Sequence, residues 1–380
     1  MPHVKYAGVI ALATVCAPPA MPAQRITIAT QPSVTIGAGG DENSALHAVA
    51  GAWKMSNGQM VIVDQGGPAP IRSFTKEGKF DRVIARSGAG PGEVGPTLFA
   101  ATRSGDSIVT FEIAGARASV FDVARGKAST ATIIVRNAPS RPVVQGILPN
   151  NRWFVTGAPA PLRNHDDGAF RDTTYFGSAP VGGDSLIVFG QTPRMALYAN
   201  NKVPGPPTMM RVRYDSLVPW TTIAVHAGRI VVADPTGPGI SIYNPDGTVA
   251  LSIPHPFPAA PYNAAEVARA KARSLALAKT PGESGIRAAM FDLSGRPRTA
   301  PRFKRLIPGA DGELWVEKFW LDETAPREYV VLDRAGKVAG RVTGAPPVRF
   351  TEFGRDYALG IARDANDVQT VVMYKLTRQP

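Results

Sequence analysis

The sequence predicts an all-β fold: a single six-bladed β-propeller of four-stranded antiparallel blades, closed by N- and C-terminal strands, with one inserted helix between blades four and five. Three observations predict it. Of the 380 residues 44% are hydrophobic, with 38 glycines and 35 prolines, a balance that suits a large core built from short strands and tight turns. A turn-strand-strand unit recurs along the chain, which is the mark of a repeat architecture. Finally, an early strand-like segment has no turn partner of its own, and the last repeat lacks one strand.

The first copy of the unit runs through Asn57-Gly58 to Asp64, then through segment 71–74, the Glu77-Gly78 turn and segment 80–84. Asn-Gly accepts the positive φ of a type I′ hairpin turn, and its flanks are the β-branched and apolar residues that strands favour. Inner turns return at Ser104-Gly105, Asn150-Asn151, Ala227-Gly228, Asp311-Gly312 and Gly354-Arg355, at steps of 47, 46, 77, 84 and 43 residues. Outer turns fall at Glu77-Gly78, Arg125-Gly126, Gly182-Gly183, Asp246-Gly247 and Ala335-Gly336. Segment 26–36 is expected to pair with segment 370–377 and so close the ring without open sheet edges.

Two of the steps are long because of insertions. The 77-residue step carries an extended outer hairpin at about 173–198. The 84-residue step carries the predicted helix, about 263–279 within an insert of about 262–295. Asn263 and Glu266 form a capping-box-like pair at its start, and Thr280-Pro281-Gly282 reads as its stop. Such an insert is expected to lie across a blade or over one mouth of the ring.

Residues 1–23 read as a leader. Lys5 precedes an apolar run at 6–17, and small residues follow to Ala20 and Ala23, so Met21 or Gln24 would begin the mature domain, 24–380. The run is too short to cross a bilayer. Cys16, the sole cysteine, lies inside it. Removal of the leader would leave no disulfide; the alternatives, both envelope-anchored, are acylation at Cys16, which the bulky Val15 before it fits poorly, and an uncleaved leader. The expected location is therefore periplasmic or extracellular.

The net charge is +12 and the pI about 9.9. The basic residues are scattered singly, with no block on one segment, which speaks against a nucleic-acid footprint. A monomer is expected.

Several stretches are similar to the bacterial six-bladed NHL-like propeller family: Pro32 to Gly37, Val61 to Asp64, Gly88-Ala89-Gly90-Pro91-Gly92-Glu93, Gly312 to Glu317, Gly360 to Asp364 and Val371 to Leu376. The likeness runs in order over nearly the whole mature chain and departs at the expanded hairpin. It implies a binding platform in most relatives and a metal-dependent lactonase or lyase in some distant ones; fold alone does not choose between them. The Gly-Pro-Gly-Glu turn is not a nucleotide loop, because no Lys-Ser/Thr follows it and no helix opens after it.

No HExxH, Gly-x-Ser-x-Gly, cysteine-based site or EF-hand loop is present. His47, His165, His226 and His255 show no metal-ligand spacing and read as turn or surface residues. His165-Asp166-Asp167 beside Gly168 is the densest group of donors. Its composition could suit calcium, and equally an exposed polar loop. The inner strand pairs end in Asp64, Glu112, Asp234 and Glu317, with Lys318 next to the last. Carboxylates converging on an axis could hold calcium, for which Asp64 and Asp234 are the candidates, or act as acid and base. The strict register weakens that idea: the equivalent positions are Asp64, Phe111, Gly157, Asp234, Lys318 and Ile361. An Asp there can also simply bind its own turn.

Two functions follow as expectations. One is a non-enzymatic binding module of the cell envelope for a protein, peptide or glycan, with variable loops on a rigid scaffold. The other is a calcium-type hydrolase or lyase with its site at the axial channel.

Overall fold

A computed structural model of the chain describes residues 24–39, 42–158, 166–199, 212–294, 296–364 and 366–379. The leader reading, Cys16 included, and His165 lie outside the described residues.

The chain begins with β1 (Gln24–Ile28) and β2 (Val34–Ile36). The first sheet follows as β3 (Val49–Lys54), β4 (Met60–Asp64), β5 (Ile71–Phe74) and β6 (Phe80–Ala85). The second is β7 (Leu98–Ser104), β8 (Ser107–Glu112), β9 (Arg117–Asp122) and β10 (Lys127–Thr132). The third has five strands: β11 (Pro142–Leu148), β12 (Arg152–Gly157), β13 (Gly168–Pro180), β14 (Ile187–Ala199) and β15 (Val212–Tyr214). The fourth is β16 (Thr222–His226), β17 (Arg229–Ala233), β18 (Gly239–Tyr243) and β19 (Val249–Pro254). After two helices come β20 (Phe303–Pro308), β21 (Leu314–Lys318), β22 (Arg327–Leu332), β23 (Val338–Ala345), β24 (Arg349–Phe353), β25 (Tyr357–Arg363) and β26 (Gln369–Gln379). Neighbouring strands in each meander pair antiparallel.

The expected six separate four-stranded blades are not formed. Hydrogen bonding defines four discrete blades, three of four strands and one of five, plus one nine-stranded sheet in the order β20-β21-β22-β23-β1-β26-β25-β24 with β2 also on β26. The pairing of segment 26–36 with the C-terminal strand is present: Ile26 faces Arg378, Ile28 faces Leu376, and Val34 faces Met373. What merges the sheet is a second, parallel pairing of β1 with β23, through Gln24–Gly340 and Arg25–Arg341. Gly340 permits this approach, since a Cβ there would lie 2.7 Å from Ile26 Cδ1 and 3.0 Å from the Gln24 carbonyl. A parallel partner joined by no turn leaves no local mark in a sequence.

The first strands touch in a closed circuit, β3 to β7 to β11 to β16 to β20 to β24 and back to β3. Apolar layers fill the spaces between successive sheets. Val63, Ile71, Ile108 and Phe121 join the first and second; Phe111, Val143, Trp153 and Val155 join the second and third. The densest aromatic layer lies within the nine-stranded sheet, where Trp315 stacks on Phe353 at 3.8 Å between centroids and Tyr329 packs edge-on against Phe353.

The turns show why the repeat was legible. Between β16 and β17, Ala227 (φ +47°) and Gly228 (φ +76°) are both left-handed, as a two-residue type I′ turn requires. At Asn57-Gly58 only Gly58 is left-handed (φ +89°), and Met55 N–H bonds the Gln59 carbonyl at 2.8 Å. That loop is thus longer than the predicted type I′ turn.

The insert holds two helices rather than one. Helix α1 (Ala264–Ala276) begins at Asn263, whose side chain accepts from Ala265 and Glu266 N–H. Helix α2 (Pro281–Met290) begins where the stop was expected, with Thr280 as its N-cap, accepting from Glu283 N–H, and Pro281 in its first turn. Proline ends one helix and suits the first position of the next, because its missing N–H is one the helix does not use there. Buried Val267, Ala270, Ile286, Met290 and Phe291 pack the pair onto Leu217 and Leu321. No helix among the described residues is long and apolar enough to cross a membrane.

Candidate functional site

Asp64, Glu112 and Glu317 stand at or next to the ends of β4, β8 and β21, and Asp234 directly follows β17. Each carries an arginine. Asp64 is 0% exposed and accepts from Arg72 Nη2 at 2.7 Å, from Ala48 N–H at 2.7 Å and from His47 N–H at 3.2 Å. The same guanidinium donates to the Asn43 and Ala45 carbonyls, which pins the segment entering β3. Glu112 accepts from Arg117 Nε at 2.8 Å. Arg117 also donates to the Gly88, Ala89 and Glu93 carbonyls, while Gly90 N–H bonds Glu93 Oε2. The Gly-Pro-Gly-Glu turn is thus an arginine-held connection between sheets.

Asp234 takes Arg171 Nη1 on both oxygens, at 2.7 and 2.8 Å, and Thr236 closes its own turn. Glu317 is 0% exposed within a denser group: Arg305 Nε at 2.6 Å, Trp320 Nε1 at 2.9 Å, Tyr329 hydroxyl at 3.3 Å and Arg327 Nε at 3.7 Å. Burial, with Glu317 adding to it, raises the Tyr329 hydroxyl well above the usual tyrosine range. Lys318 is exposed and pairs with Glu328 at 2.9 Å.

The four acids therefore occupy comparable places but are each spent on a local cation. Among the described residues Asp64 and Asp234 share no hydrogen-bonding partner. Calcium wants six to eight oxygen ligands with negative charge, and a carboxylate locked to a guanidinium does not fit that demand. Among the described residues no three His, Cys, Asp or Glu side chains gather as a metal-holding group. Asp166 and Asp167 are exposed just before β13.

Sequence reasoning missed the arginines. Arg72, Arg117 and Arg327 all stand at the start of a third strand, but they follow their acids by 8, 5 and 10 residues because the intervening loops differ in length. A fixed spacing cannot find them; an Arg at the start of the strand after the acid could have flagged these three, but not Arg171, which reaches Asp234 from another sheet.

It also missed Lys304. The ladder of β20 and β21 slips between Phe303 and Arg305, leaving Lys304 as the extra residue of a β-bulge, a device that re-aims a side chain. Its ammonium lies 4.5 Å from the Trp320 ring centre and 5.6 Å from that of Phe319. Arg327 sits over Trp320 at 3.6 Å. Burial brings Lys304 down to about 8, opposed by nearby Glu317. Beside this bulge the helical insert borders an open cavity of about 590 Å³, lined by α1, the end of α2, Lys304 and Trp320.

A closed circuit of antiparallel sheets around an axis defines the class: the chain has a β-propeller fold. It is similar to a member of the DUF4221 family from Bacteroides vulgatus, at 8% identity and TM-score 0.53, covering 93% of this chain and 99% of that one. A Bacteroides fragilis protein aligns at 11% identity and TM-score 0.46, covering 93% and 96%. A Xanthomonas campestris gluconolactonase aligns at 13% identity and TM-score 0.42, covering 87% of each. Likeness at such identity speaks to the fold alone. No family model matches the chain and no curated protein matches it, so the NHL-like kinship expected from the sequence is not confirmed.

Proposed function

We propose that this chain is an exported, non-enzymatic binding propeller whose ligand meets the loops and helical insert at one end of the ring. Export rests on the leader reading of residues 1–23. The observation that carries the binding reading is the arginine pairing of the strand-end acids. Asp64, Glu112, Asp234 and Glu317 each hold a guanidinium, so none is left as a free base or a bare cation ligand, as hydrolysis at an axial metal would need. Their use is structural: each ties a loop or a neighbouring strand to the ring and leaves a rigid frame. A rigid frame with an irregular insert is the arrangement on which binding sites are commonly carried.

The test is a paired screen of the purified protein. Thermal-shift screening of glycans, peptides and small organic ions should find ligands that raise the melting temperature by mass action. Esters and lactones, with and without added calcium, should not turn over. Turnover abolished by Asp64→Asn or Asp234→Asn would overturn the proposal in favour of an axial hydrolase.

A further inference from the structure

The cavity under the helical insert differs from a second hollow among the described residues. That second hollow, about 470 Å³, is lined by inner turns and by Arg103. Arg103 is fully engaged: it bonds Glu352 and the carbonyls of Lys54 and Gly105. The insert cavity holds cations that are not so engaged. Lys304 Nζ has no hydrogen bond or ion pair among the described residues, only its aromatic contacts. Arg287 has one long hydrogen bond, 3.4 Å to Ser274 Oγ. Arg273, by contrast, is committed to the Leu321 carbonyl and to Asp322.

About half of the same lining is apolar. Leu277, at the end of α1, is 68% exposed at the cavity margin, and Phe291 and Trp320 also line the space. A volume of about 590 Å³ falls within the range of small-molecule sites, roughly 300–1,000 Å³. Two underused cations beside apolar side chains, with Glu323 the one acid among the described lining residues, call for a ligand with one negative end and one greasy end.

We infer that this cavity binds a small amphiphilic organic anion, its carboxylate, sulfate or phosphate held by Lys304 and Arg287 and its apolar body against Leu277, Phe291 and Trp320. The inference rests on the binding-protein reading and names the ligand class. Charge-assisted hydrogen bonds from these two cations to the anion would be about twice as strong as neutral ones. Burial has already brought Lys304 to about 8; an anion would favour its charged form.

Isothermal titration with decanoate and decyl phosphate tests this, using decanamide, decyltrimethylammonium and inorganic phosphate as controls. The two amphiphilic anions should bind one to one, and each control at least about tenfold more weakly. Lys304→Met and Arg287→Met should each weaken the anions about tenfold or more, the equivalent of one charged hydrogen bond, while Lys304→Arg retains binding. Calorimetric melting confirms that each variant is folded. Equal binding of decanamide, or anion binding unaffected in both variants, overturns the inference. So does capture by phosphatidylglycerol vesicles without binding of the free anions, because the surface would then recognise a membrane. If a different ligand from the thermal-shift screen binds and the anions do not, the ligand class is wrong and the binding reading survives. Ester turnover without any binding sinks both.

Discussion

Replacing Arg72 with Met isolates the cost of leaving a strand-end acid without its cation. Asp64 is 0% exposed and would keep only N–H donors, chiefly Ala48 at 2.7 Å and His47 at 3.2 Å. Breaking a buried ion pair by removing one partner costs about 3–5 kcal/mol, and the surviving N–H bonds place this case near 3. Unfolding entropy of about 2.1 cal/mol/K per residue over roughly 350 residues is about 0.75 kcal/mol/K. The melting temperature should therefore fall by about 4 °C, read by differential scanning calorimetry at one scan rate. The double variant Asp64→Asn with Arg72→Met should melt higher than Arg72→Met alone, because Asn still accepts from Ala48 and no buried charge remains unpaired. Arg72→Met melting with the wild type would refute the latch. So would a double variant no better than the sum of its parts.

Three further outcomes are expected. Lys304 binds its proton less tightly in the folded chain, about 8, than the ordinary 10.5, with Glu317, Arg305, Glu323 and Arg327 as its charged neighbours. Between those values the unfolded chain holds more protons, so folded stability gains from this group as pH rises from about 8; Lys304→Met, melted over pH 7 to 9.5, should lack that gain. Gly247→Ala should destabilise by about 2–4 kcal/mol and Gly126→Ala by only about 1. Both are left-handed, but a Cβ at 247 would sit 2.2 Å from the Phe189 ring and one at 126 would meet nothing; matched melting curves compare them. Arg296 bonds buried Asp215 and the Met290 carbonyl, so Arg296→Met should free the insert and speed limited proteolysis between residues 264 and 290, with unchanged cleavage counting against that anchoring role.

The parts of this protein that the sequence determined are the parts made by near neighbours. Glycines such as Gly58 and Gly228 accept positive φ wherever they stand, and the short apolar runs between such turns suit strands. Asn263 caps α1 through N–H groups two and three residues away. Even the existence of an unpaired strand at each end followed from counting turns. Distance in sequence is where legibility ended. The parallel pairing of β1 with β23 needs Gly340, about three hundred residues away, to leave room for Ile26, and it turns two expected blades into one sheet. The acids were visible as residues, but their meaning depends on Arg72, Arg117, Arg171 and Arg305, which reach them over loops of unequal length or from another sheet. Lys304 is an ordinary lysine in a strand until a bulge re-aims it and two helices come to border the same hollow. Charge pairing and enclosure are properties of three-dimensional neighbours, and only the folded chain chooses those.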